Sequence, residues 1–160
     1  MAAWNNFFFA QVGASAALVG LIFVAVSINL TKILASPRLP SRAREAPIVL
    51  LGILIVSSLM LVPEQPVAIT GMELLVVGII IWGVVTWLNV NNLIKTAARY
   101  RPYTLINIVL NQFALVPYII AGINILTWGL GGLYWLVPAI ILSFVKALMD
   151  AWVLLVEINR

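Results

Sequence analysis

Five stretches of this chain are apolar for long enough to cross a bilayer, and that restricts the fold before any motif is read. A membrane core asks for about 20 apolar helical residues. The runs lie at about 6–31, 46–63, 70–94, 103–128 and 132–157. The expectation is an all-α, polytopic membrane helical bundle of five transmembrane helices, forming one domain over 1–160. The second run is the shortest and is bounded by Pro47 and Pro63. A re-entrant or tilted segment is its alternative. Composition points the same way: 64% of the 160 residues are hydrophobic and 9% are charged. A soluble domain is about half apolar and about a quarter charged.

Placement of the basic residues predicts an orientation. Lys32, Arg38, Arg42 and Arg44 lie between the first and second runs, Lys95, Arg99 and Arg101 between the third and fourth, and Arg160 after the fifth. The opposite connections carry no lysine or arginine. Positive loops stay in the cytoplasm, so the N-terminus is expected outside and the C-terminus inside. This distribution accounts for the net charge of +4 and removes the case for nucleic-acid binding. Arg38, Arg42 and Arg44 are candidate contacts for anionic lipid headgroups. The first run lacks the positive leader of a signal peptide and exceeds its usual apolar length, so it is expected to stay in the mature chain.

Within the fifth run, Lys146 and Asp150 stand four residues apart and share one helix face. Charges at this depth are costly and are expected to face protein or water rather than lipid. The predicted orientation puts most other polar side chains in the same half of the bilayer. Asn89 and Asn92 fall in the inner part of the third helix, Asn107 and Asn111 in the inner part of the fourth. Two accounts fit this intramembrane polar cluster. One is structural, with amides bonding between helices and the two charges neutralising each other. The other is a polar cavity open to the cytoplasm that takes an ion, a headgroup or a small anion.

Gly13, Ala17 and Gly20 form a ridge of small residues on the first helix, which allows close approach by another helix. Packing inside the bundle and self-association are both consistent with such a face. Trp4, Phe7, Phe8, Phe9, Trp128, Tyr134 and Trp135 are expected as an outer aromatic belt. Trp82 and Trp87 are read as gap-filling or lipid-facing, and Pro117 as a candidate kink.

Much chemistry lacks its parts. The chain has no cysteine and no histidine, and its carboxylates are Glu45, Glu64, Glu73, Asp150 and Glu157. Thiolate nucleophiles and the commonest base and metal ligand are therefore missing. No catalytic, cofactor-binding or metal-binding residue is assigned, and no cofactor is expected.

The opening, from Trp4-Asn-Asn-Phe-Phe-Phe through Gly13-Ala-Ser-Ala-Ala-Leu-Val-Gly-Leu-Ile-Phe-Val-Ala to Asn29, resembles a family of small uncharacterised bacterial multi-span membrane proteins. These begin with an aromatic pair and then Gly-Ala-x-Ala-Ala-Leu-x-Gly-Leu-x-Phe-Val-Ala, and some are loosely labelled modulators of a membrane protease. The resemblance covers about one-sixth of the chain and implies a bacterial inner-membrane location, with no substrate or catalytic residue. The functional expectation is a non-enzymatic membrane subunit, self-associating or riding in a larger membrane complex, with membrane lipids as its other partners. Its alternative is a homo-oligomeric channel or small-solute transporter with a cytoplasm-facing polar vestibule.

Overall fold

The computed structural model describes residues 2–35 and 39–158 and is helical throughout, with no strand among the described residues. Its elements are α1 (Ala2–Ile28), the short α2 (Leu30–Ala35), α3 (Leu39–Leu59), α4 (Val67–Lys95), α5 (Arg101–Trp128) and α6 (Leu136–Ile158). Short 3-10 turns at Ala98–Tyr100 and Gly129–Trp135 precede α5 and α6. Three stretches are long and apolar enough to cross a membrane: Trp4–Ile28, Val67–Lys95 and Ala98–Leu154. The third contains both α5 and α6. The remaining long helix, α3, carries Arg42, Arg44 and Glu45 in its first turns.

The second helix begins at Leu39, well before the apolar run expected from Ala46. Pro47 sits inside it rather than bounding it. Proline costs an interior hydrogen bond, yet a buried apolar stripe follows at once: Val49, Leu50, Ile53, Val56 and Met60. The three- and four-residue spacing of that stripe holds one helical face against the bundle. At the far end the chain turns through Pro63 and Pro66, with Glu64 in the left-handed region at φ 55°.

α3 is central, packed against α1, α4 and α6, while α5 packs against α4 and α6. The α4–α5 pair is antiparallel and unusually close. A Cβ added at Gly122 would lie 2.8 Å from the backbone N and Cα of Leu75, and one at Gly78 would lie 3.3 Å from the Cβ of Tyr118. Small residues let helix backbones approach in this way, which strengthens packing where lipid supplies no hydrophobic drive. α5 runs through Pro117 and ends at Gly129, whose φ of 75° suits a residue without a Cβ.

α1 is held differently. Near its start Trp4 meets Tyr134 edge-on at 5.1 Å and stacks near Phe8 at 6.0 Å, within a cluster that includes Phe7. Beyond its other end, Ile33 of α2 packs with Ala43 and Leu154. Between these anchors an apolar groove of about 190 Å³ separates α1 from α6, lined by Leu18, Ile22, Ala25, Leu148 and Leu154 among others. Ile22 and Phe8 turn inward, whereas Phe9, Leu21, Phe23 and Ile28 are exposed.

Candidate functional site

Three helices each contribute a pair of polar residues one turn apart. α3 presents Arg42 and Glu45, α5 presents Asn107 and Asn111, and α6 presents Lys146 and Asp150. Side chains three or four apart share a helix face, so three facing stripes can converge on one point. α4 adds Asn89. All of these except Arg42 are buried, with Glu45, Asn89 and Asn111 at 0% exposure.

The bonds form one connected network. Asn107 and Asn111 each donate from Nδ2 to Glu45 Oε2 at 3.0 Å. Asn107 Nδ2 also reaches Asn89 Oδ1 at 3.1 Å, and Asn89 Nδ2 returns to the Val85 carbonyl at 2.8 Å. Lys146 Nζ donates to Asp150 Oδ2 and stands 3.9 Å from Glu45 Oε2. Arg42 Nη1 donates to Asp150 Oδ1 at 3.4 Å. Two cations thus face two carboxylates. A buried charge is tolerated when it is paired and its remaining valences are bonded. Two acceptors remain without a donor: Glu45 Oε1 and Asn111 Oδ1, both fully buried.

The network opens sideways. A cavity of about 220 Å³ between α5 and α6 is lined by Arg42, Asn107, Lys146 and Asp150 on its polar side and by Ile106 and Val153 on its apolar side. Among the described residues, no group of three metal-ligating side chains forms. Chemically the network holds its charges in mutually compensating pairs, with Lys146 within reach of carboxylates from two helices.

Five of the six residues expected in the polar cluster meet here: Lys146, Asp150, Asn89, Asn107 and Asn111. Asn92 does not. It lies with Asn91 beside a separate cleft near the end of α4. Arg42, expected at lipid headgroups, turns to Asp150, while Arg44 remains exposed on that cleft. Arg38 lies outside the described residues. Sequence reading misses Glu45 because the apolar run begins at Ala46, one residue beyond it. A usable signal was present: Arg42 and Glu45 are three apart in a stretch without glycine, compatible with a helix that continues into the apolar run.

The Gly13, Ala17 and Gly20 ridge is exposed, and no atom lies within 4 Å of a Cβ added at either glycine. It has no partner inside the described chain. A smaller polar contact joins α4 to α5, where Trp82 Nε1 donates to Gln112 Oε1 at 2.5 Å and Gln112 Nε2 to Thr86 Oγ1 at 3.2 Å. Trp82 is thus half-buried in a hydrogen-bonded seam, whereas Trp87 is exposed. In comparisons with protein-family models, curated proteins and solved structures, nothing matches this chain.

Proposed function

We propose that this chain is a non-enzymatic integral membrane subunit that works through helix association in the bilayer, with its own copies or within a larger complex. In this reading five helices cross a bacterial inner membrane, with the N-terminus outside and the C-terminus in the cytoplasm. Arg44 and Lys95 lining one cleft, with Tyr100 of the next connection, support a single basic end.

The observation that carries the association reading is the outward ridge of α1. Apolar surface facing lipid needs only large side chains, as at Phe9 and Phe23. A small-residue ridge gains nothing from lipid but lets a second helix approach closely. Beneath it, the charge network is internally compensated, as a structural core would be. Native mass in mild detergent, with co-purifying proteins identified, is the test. A homo-oligomer disrupted by Gly13→Leu and Gly20→Leu supports the reading, and so does a stoichiometric membrane partner lost in the same variants. A monomer without a partner overturns it.

A second reading, a homo-oligomeric channel or small-solute transporter, draws on the cavity beside Lys146 and Asp150 and on the two buried acceptors without donors. It requires ion or solute flux in liposomes that Lys146→Met abolishes while the protein stays assembled.

A further inference from the structure

At the basic end, the first turns of α3 and the last turns of α4 leave a cleft of about 400 Å³. Arg44 and Lys95 stand on its wall with the amides of Asn91 and Asn92, and Trp87 and Tyr100 complete it. Trp87 precedes Lys95 by two helical turns, so the cleft reaches about 12 Å along the helix axis at 1.5 Å per residue. Cationic, amide and aromatic side chains thus share its wall.

Among the described residues no carboxylate pairs with Arg44 or Lys95, because Glu45 and Asp150 are turned inward to Lys146 and Arg42. Arg44 Nε donates to the Pro40 carbonyl at 3.2 Å, which fixes the guanidinium beside the cleft. The Thr96 hydroxyl donates to the Asn92 carbonyl at 2.7 Å, so the backbone there is braced. Guanidinium and ammonium groups with amide donors between them suit a phosphate, and an exposed indole one to two turns away suits the glycerol and upper acyl region of a lipid.

We propose that this cleft binds one anionic phosphate group, that of an acidic phospholipid headgroup or of a free phosphate. Arg44 and Lys95 supply the charge, and Asn91 and Asn92 supply neutral donors. The site rests on the membrane reading of the chain but not on the association of α1.

The test uses the full-length protein, delipidated in mild detergent and titrated with phosphatidylglycerol, phosphatidylcholine and inorganic phosphate, with binding read by native mass. One phosphatidylglycerol is expected to bind saturably, in preference to phosphatidylcholine. Its affinity should fall about fivefold for Arg44→Gln or Lys95→Gln, and about twentyfold or more for the double variant, given the usual strength of a surface cation on an anionic lipid. Lys32→Gln, exposed at the same end but outside the cleft, should bind as the parent does. Inorganic phosphate binding with the same dependence on Arg44 and Lys95 assigns the site to a free anion. Phosphatidylglycerol binding without phosphate competition assigns it to lipid. Equal losses in Lys32→Gln, or none in the double variant, overturn the site. A monomer that still binds phosphatidylglycerol sinks only the association reading.

Discussion

Glu45 of α3 and Lys146 of α6 bring opposite charges within 3.9 Å inside the bundle, with Asp150 held by the same ammonium. Lys146 is thus the shared counterion of two carboxylates from different helices. Removing it strands Glu45, whereas Asp150 keeps Arg42 at 3.4 Å, and removing either carboxylate leaves Lys146 paired with the other.

Lys146→Met is expected to destabilise the fold by about 3–5 kcal/mol, the usual result of breaking a buried ion pair from one side. Adding Glu45→Gln should recover part of the loss, because Asp150 keeps Arg42. Unfolding in mixed micelles, followed by tryptophan fluorescence, measures the cycle. Additive losses from the two changes would show that the residues do not interact.

Asn111→Leu removes one of the two amide donors to Glu45, and Asn107→Leu removes the other along with the bond to Asn89. Each should cost about 1–2 kcal/mol in the same assay, the range for interhelical polar bonds in membranes. Asn92→Leu, outside the network, should leave the unfolding midpoint within about 0.5 kcal/mol of the parent. Equal effects at all three positions would contradict the network.

Gly122→Ala drives a methyl group against the Leu75 backbone, where the added carbon would sit at 2.8 Å. Overpacking of this kind costs about 1–3 kcal/mol, and backbone atoms cannot step aside as a side-chain tip can. Gly13→Ala meets nothing and should be neutral for unfolding. A neutral Gly122→Ala would mean that α4 and α5 are further apart.

Because the chain has no cysteine, single cysteines report orientation directly. Gly131→Cys, between α5 and α6, is expected to react with an impermeant maleimide in intact cells. Arg99→Cys, between α4 and α5, should react only after permeabilisation. Labelling of both from one side would end the five-crossing topology.

The long helices were legible because each holds an apolar run that ends at turn-forming residues such as Pro63, Pro66 and Gly129. Lys146 and Asp150 were legible for a related reason: their contact lies within one helix, and spacing alone brings them together. The attachment of Glu45 and Arg42 was not legible. It depends on which faces of α3, α5 and α6 meet, and spacing along a single helix carries no such information. Reading Pro47 as a boundary concealed the point further, since a proline with its neighbours packed can remain inside a helix. The α1 ridge was visible as a pattern, but its direction follows from Phe8 and Ile22 taking the inward face.

The antiparallel pairing of α4 with α5 bears on how the chain is assembled. Asn89 and Asn107 belong to neighbouring helices, so that hairpin can form with Asn107 Nδ2 already bonded to Asn89 Oδ1. Glu45 is synthesised long before Lys146 and must wait for α6 to bring its counterion. α6 is therefore the element that completes the core, since no other described helix brings a cation to the buried acid of α3.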